Sequence, residues 1–329
     1  MVASAGVVTP EVSTTDGTER PLPAALTHAL AAFDGPTART AERVVRTAMA
    51  ERLTDGTPRA WQGSRLTGDG FPVEVAFCTA DDTLRLTLEP GRASCPPSLR
   101  LDRVNDTLVR CGGTPMPEAV RLRLAAVQAG GPMRYGAWLG CRIAGGGRTF
   151  KLYVEVPPAR ALGPDWPAPL VLADRDVVPR MVAVTQATGL VETYLRVPSL
   201  LPEHLPAVLN PVGLSHQSAW LLRFIEEAYG HAIRGRIPGP SVGISYVVAG
   251  TPRVSLHLYA RALWGSDARI RRGFLRVAQG IGWDSRAYEA VSGPLAARED
   301  WRCYQGLFGI TLSTDADPAF TIGLRPVSP

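Results

Sequence analysis

Five segments of this chain set charged and aromatic side chains at alternate positions. Glu74 is followed eleven residues later by Arg85. Lys151 and Tyr153 lie two apart, as do Glu192, Tyr194 and Arg196, and then His257, Tyr259 and Arg261. A two-residue spacing puts side chains on one face of an extended strand. Arg presents a planar fork to phosphate oxygens, and Lys a compact point charge. Tyr and Trp present π faces that attract cations. A site built from these groups suits an anionic ligand with an apolar or aromatic portion. Its cations would stabilise a leaving group as negative charge develops, and its aromatic rings would shield a carbocation from water. A carboxylate such as Glu74 would accept a proton from an N–H or O–H of an electron-rich partner.

These residues need strands to carry them. Phe71, Val73, Val75 and Phe77 alternate with Pro72, Glu74, Ala76 and Cys78. After the turn at Ala80-Asp81-Asp82, Leu84, Leu86 and Leu88 alternate with Arg85, Thr87 and Glu89, which predicts a β-hairpin. Four more hairpins are predicted over 134–143 with 148–156, 180–186 with 190–197, 242–248 with 253–261, and 301–312 with 319–325. The second turns at Gly145-Gly146-Gly147, which reads as a turn and not a phosphate loop, because a strand follows it. Helical spacing predicts helices over 21–33, 36–53, 118–128, 215–233, 267–280 and 285–297, and 90–97 reads as a loop.

One face of each hairpin is aliphatic, as in Val73/Val75, Leu84/Leu86/Leu88, Leu152/Val154 and Leu256/Leu258, and that face should meet the helices. The other face carries Glu74, Arg85, Trp138, Arg142, Lys151, Tyr153, Glu155, Glu192, Tyr194, Arg196, Arg253, Ser255, His257, Tyr259, Arg261 and Arg325. Closing the sheet would remove its edges and turn this face into the lining of a lumen. A ten-stranded barrel is wider than the eight-stranded barrels whose side chains fill the centre. The expected fold is therefore α/β, a ten-stranded antiparallel β-barrel of five hairpin repeats ringed by α-helices. Such a lumen would be able to ionise an allylic diphosphate and hold the resulting cation against an aromatic acceptor.

Composition narrows the classes. The 329 residues allow two domains or one large one, and 45% hydrophobic with 20% charged residues fits a globular chain. No apolar run is long enough to span a membrane, and residues 1–20 lack a signal-peptide pattern. The expectation is a flexible segment over 1–20, a single domain over 21–329, and a cytoplasmic location. A net charge of +5 with no basic run argues against nucleic acid. The bases are almost all Arg, with Lys151 the only Lys. Five scattered cysteines without a CxxC pair indicate neither a zinc site nor a disulfide framework. His204, His216 and His231 lack metal-ligand spacing and read as structural.

The run from Arg65 to Glu74, with Leu84-Arg85-Leu86-Thr87-Leu88-Glu89-Pro90, resembles the first hairpin of the ABBA-type aromatic prenyltransferases, and most closely the dimethylallyltryptophan synthase and indole prenyltransferase branch. The resemblance covers roughly residues 60 to 326 and rests more on the order of five hairpins than on any single motif. It implies that Glu74 contacts an indole nitrogen and that Arg85 binds diphosphate. Lys151-Leu152-Tyr153 is similar to the family's Lys-x-Tyr, and Tyr259 to a shielding Tyr on the fourth hairpin. The expected diphosphate ligands are Arg85, Lys151, Arg196, His257, Arg261 and Arg325. The expected cation shield is Tyr153, Tyr194, Tyr259 and Tyr304, with Trp138 in the acceptor pocket.

Three departures bear on the acceptor. Trp138 stands where many members have a basic residue, Glu192-x-Tyr194-x-Arg196 replaces Arg-x-Lys-x-Tyr, and His257 precedes Tyr259. The chain has no DDxxD motif, so the resemblance implies a metal-independent reaction without a cofactor. The expected partners are a prenyl diphosphate, with dimethylallyl diphosphate as co-substrate, and an indole-like or fused aromatic acceptor such as tryptophan, indole or a carbazole, alkylated by Friedel–Crafts chemistry in secondary metabolism. Two other readings stay open: a non-catalytic carrier of an anionic apolar ligand, and a phenol- or quinone-directed prenyltransferase.

Overall fold

The computed structural model describes residues 20–158, 162, 166 and 169–328, so the segment predicted to be flexible lies outside them except for Arg20. Ten strands follow in order: β1 (Val73–Cys78), β2 (Leu84–Leu88), β3 (Ala137–Ala144), β4 (Gly147–Glu155), β5 (Val178–Thr185), β6 (Val191–Pro198), β7 (Ser241–Val247), β8 (Arg253–Tyr259), β9 (Gln305–Ser313) and β10 (Ala319–Leu324). Each pairs antiparallel with its neighbours, and β1 closes the sheet on β10 through Val75↔Leu324 and Phe77↔Ile322. All five predicted hairpins are present, and the barrel is closed.

Closure sorts the side chains by parity. Outward residues such as Val75, Leu86, Leu152, Ile244, Leu256 and Ile310 are buried under helices. The helices are α1 (Ala24–Leu30), α2 (Gly35–Ala48), α3 (Ala50–Asp55), α4 (Arg100–Arg110), α5 (Glu118–Gln128), α6 (Leu205–Leu209), α7 (Ser218–Tyr229), α8 (Ala260–Trp264), α9 (Asp267–Gly280) and α10 (Arg286–Ser292). Most carry an apolar stripe toward the sheet, whereas the buried residue of α3 is Arg52. In α7, Leu221 and Ile225 are fully buried, and Phe224 stacks on Phe320 of β10 with ring centroids 4.6 Å apart. The hydrophobic core is thus a shell between barrel and helices, and the barrel interior is left for polar groups.

Several predicted boundaries move for local reasons. The helix expected over 36–53 breaks at Met49 into α2 and α3. The one expected over 215–233 ends at Gly230, which adopts φ 79° and caps α7. Helix α4 falls where none was predicted, because its buried stripe of Leu101, Val104 and Leu108 is thin among Asp and Arg. The chain leaves β8 at Tyr259 and turns into α8, so Arg261 stands on a helix and not on the predicted strand. Tyr304 precedes β9 in a loop, and a bulge sets Leu324 opposite Gln305 while Ile322 faces Phe308.

Buried carboxylates pin the loops at the helix-connected end of the barrel. Glu155 has the inward parity expected of a lumen residue, but it is withdrawn into the wall. Its Oε2 accepts the backbone N–H groups of Arg134, Tyr135 and Gly136 at 2.9, 2.7 and 2.8 Å. Asp267 does the same for Tyr304 and Gln305. Glu89 pairs with Arg100 at 2.8 Å and Arg52 at 3.4 Å, and also accepts the Trp138 indole N–H at 3.1 Å. Glu89→Ala would leave two guanidinium groups buried without their anion. It should lower unfolding free energy by about 3–5 kcal/mol in a urea titration; an unchanged midpoint would remove Glu89 from the scaffold.

Candidate active site

The barrel interior is a cavity of about 2110 Å³ lined from all ten strands. It contains every residue predicted for the site: Glu74, Trp138, the cations Arg85, Lys151, Arg196, His257, Arg261 and Arg325, and Tyr153, Tyr194, Tyr259 and Tyr304. Closure and parity bring them together even where the local element differs from expectation.

Lys151 on β4 is the centre of one wall. Its Nζ forms an ion pair with Glu192 on β6 and lies 3.3 Å from the Tyr194 hydroxyl. The ammonium also stands 5.2 Å from the Tyr153 ring centroid and 5.6 Å from that of Tyr194. Tyr153 and Tyr194 meet edge to face, and Tyr194 stacks on His257 at 5.8 Å. Ser245 Oγ donates to Glu192 Oε1 at 2.6 Å and lies 3.1 Å from His257 Nε2. Burial by itself would push the Glu192 carboxyl up. The Lys151 charge and hydrogen bond, with the Ser245 hydroxyl, outweigh it and hold the group down at about 2. Burial lowers His257 below 6.5; the Glu192 charge opposes this and Lys151 adds to it. The ring is therefore uncharged at neutral pH, which makes it a poor anion ligand in the role the resemblance implied.

Three of the other predicted cations are also engaged. Arg85 pairs with Asp81 at 2.6 Å near the hairpin turn. Arg325 pairs with Asp69 at 2.9 Å, and its guanidinium carbon lies over the Phe71 and Tyr304 rings at 4.5 and 5.2 Å. Arg196 donates to the Tyr259 hydroxyl. Arg261 is exposed at the cavity mouth. Trp138 stacks on Tyr135 with centroids 3.9 Å apart, so it forms a rigid wall of the cavity.

Glu74 is different. Burial in the barrel raises its carboxyl from 4.5 to about 7, and among the described residues no hydrogen bond or cation acts against the shift. A protonatable acid facing a cavity, poised near neutrality, is chemically available.

Glycines make the room. A Cβ on Gly323 would stand 2.9–3.0 Å from the Glu74 carboxyl atoms, and one on Gly140 would stand 2.7 Å from Tyr153 Cε2. A Cβ on Gly243 would meet His257 Cβ at 3.1 Å. Each of these side chains rests on a glycine of an adjoining strand. The sequence reading missed this, and missed Ser245 and the role of Glu192. Gly at inward parity within a strand was the available signal.

The architecture is that of the ABBA prenyltransferase barrel. The 5-dimethylallyltryptophan synthase from Streptomyces coelicolor, solved with DMASPP and Trp, is 16% identical, with a TM-score of 0.71 over 93% of this chain and 94% of that one. PriB in its binary complex with diphosphate is 18% identical, with a TM-score of 0.71 over 93% and 98%. The 6-dimethylallyltryptophan synthase from Micromonospora olivasterospora, also with DMASPP and Trp, is 18% identical, with a TM-score of 0.66 over 93% and 98%. At these identities the likeness establishes the fold. No protein-family model matches the chain, and no curated protein matches it in sequence. Among the described residues no helix is long and apolar enough to cross a membrane.

The Glu74 shift has a measurable sign. The folded chain keeps the proton to higher pH than the unfolded chain, so the Glu74 contribution to stability should fall as pH rises from about 4.5 to about 7 and be level on either side. Glu74→Gln should remove that part of the slope. Parallel stability curves for the two proteins between those pH values would mark Glu74 as an ordinary carboxylate.

Proposed function

We propose that this chain is an aromatic prenyltransferase that moves a dimethylallyl group from its diphosphate to carbon of an indole-like acceptor. The observation that carries the reading is the Glu74 carboxyl, which has no hydrogen-bond or ionic partner among the described residues, in a lumen that also holds the Lys151, Tyr153 and Tyr194 cluster. The fold neighbours solved with DMASPP and Trp support the donor class and the indole nature of the acceptor.

In this mechanism the diphosphate lies against Lys151, Arg196 and Arg261. Arg85 and Arg325 exchange their Asp partners for phosphate oxygens, which the higher charge of diphosphate favours. The allylic C–O bond breaks and its electron pair leaves on the diphosphate. Fixed cations stabilise that charge in the confined lumen. Tyr153, Tyr194 and Tyr259 face the allyl cation, with Tyr304 at the mouth, and keep water from capturing it. Ionised Glu74 accepts a hydrogen bond from the acceptor N–H and raises the electron density of the ring. The ring carbon then donates a π pair to the cation, and loss of its proton restores aromaticity. Trp138 forms part of the acceptor wall.

Glu74→Gln should abolish transfer while binding of the thiolodiphosphate analogue, followed by calorimetry, persists. Full turnover in the variant would take Glu74 out of the mechanism. The charge stabilisation is assigned to side chains, so metal independence belongs to the proposal. Turnover of dimethylallyl diphosphate with tryptophan or indole should be unchanged by excess EDTA, and a rate restored only by Mg²⁺ would contradict it. Diphosphate release in the same assay separates an enzyme from a carrier, and a panel of naphthols beside indoles tests acceptor class.

A further inference from the structure

The reaction above needs a second proton acceptor. Glu74 is committed to the acceptor N–H, whereas the proton to be lost sits on the alkylated ring carbon. The wall between β1 and β8 offers a place for the ring. Apart from Gln305 and Leu307 at the start of β9, the cavity-lining residues of β9 and β10 are glycine, alanine or threonine, among them Gly306, Gly309, Thr321 and Gly323, so this stretch of wall is low. Glu74 stands at one border, against Gly323 and Gly306. His257 stands at the other, its Nδ1 3.6 Å from where a Cβ on Gly309 would be. Strands lie about 4.8 Å apart, so this wall spans roughly 14 Å, room for a bicyclic aromatic with a polar contact at each end.

The hydrogen bonds assign the His257 tautomer. Glu192 is ionised and can only accept, so the single Ser245 hydroxyl proton goes to it. Ser245 Oγ must then accept the 3.1 Å bond from His257 Nε2–H. An uncharged ring with its proton on Nε2 carries a lone pair on Nδ1, the atom beside Gly309.

We infer that His257 is the base that removes the ring proton after alkylation, with Ser245 and Glu192 as positioning residues behind it. The inference rests on the prenyl-transfer reading. The new C–C bond leaves a cationic ring; the C–H electron pair returns to the ring, and the proton moves to Nδ1. The imidazolium that forms is steadied through Ser245 by the Glu192 anion. The proton then passes to the departing diphosphate or to water. This assigns to His257 a role different from diphosphate binding, and it favours a flat N–H heteroaromatic acceptor that reaches from Glu74 to His257.

The test uses the full chain with dimethylallyl diphosphate and ring-deuterated indole. His257→Asn and His257→Gln should each lower kcat by about 100-fold or more. Binding of dimethylallyl thiolodiphosphate and of indole should stay at wild-type levels. Both variants should show a primary deuterium isotope effect that the wild type lacks, because proton loss has become limiting. Ser245→Ala should show the same isotope effect with a smaller loss and an unchanged KM, and imidazole should partly rescue His257→Ala. Wild-type kcat in folded His257 variants, or a reduced kcat without the isotope effect, overturns the inference while leaving prenyl transfer standing. A wild-type protein that binds the donor analogue but releases no diphosphate with any indole overturns both.

Discussion

The pairing of β1 with β10 is the constraint on which the rest depends. A ten-stranded sheet closed on itself has no edges, and it has an interior too wide for its own side chains to fill. The hydrophobic driving force is therefore spent on the outer surface, where Val, Leu, Ile and Phe meet the helices. The inner surface is relieved of core packing and is free to carry charge. Opened along that seam, the same alternation would leave Glu74 and Lys151 facing solvent, where an ion pair or a shifted carboxyl has little value.

Charge inside such a wall must be compensated, and the compensation divides the lumen into working and structural groups. Glu155, Asp267 and Glu89 are tied to backbone N–H groups, buried Arg or the Trp138 indole, and they hold the loops that frame the mouth. Glu192 is tied to Lys151 and Ser245. Glu74 gains no such partner among the described residues, and burial turns it toward the neutral acid. Its opposite in kind is His257, whose neutrality is set by burial and whose tautomer is set by the Ser245–Glu192 chain. The two groups border a strip of β9 and β10 lined mostly by glycine, alanine and threonine. The arrangement pairs an acid near neutrality with an aligned base, with small side chains between them.

The cations show how a pattern can be legible while its state is not. Alternation predicts that Arg85, Lys151, Arg196 and Arg325 face inward, and each of them lines the cavity. What each one touches depends on neighbours far away or around a turn: Asp81 for Arg85, Glu192 for Lys151, Tyr259 for Arg196, Asp69 for Arg325. A ligand with several negative charges has to compete with these partners, so the strength of donor binding belongs to the assembled network and not to the count of basic residues.

Period-two alternation determined by itself the five hairpins, their turns and which residues share a face, because side-chain direction along a strand is a local property of the backbone. The same rule puts Glu74, Lys151, Tyr153 and His257 on the inner wall. Tertiary structure alone decided three things. It took Glu155 out of the lumen, because three backbone donors converge on it only once β3 and β4 are paired. It placed Arg261 on α8, because the chain must leave the barrel after Tyr259. It set the ionisation of Glu74, Glu192 and His257, because desolvation and partner groups depend on closure and on residues 41 to 53 positions apart in the chain, as Lys151 and Ser245 are from Glu192. Local geometry is written in the order of residues, whereas electrostatics is written in distances that only the folded barrel creates.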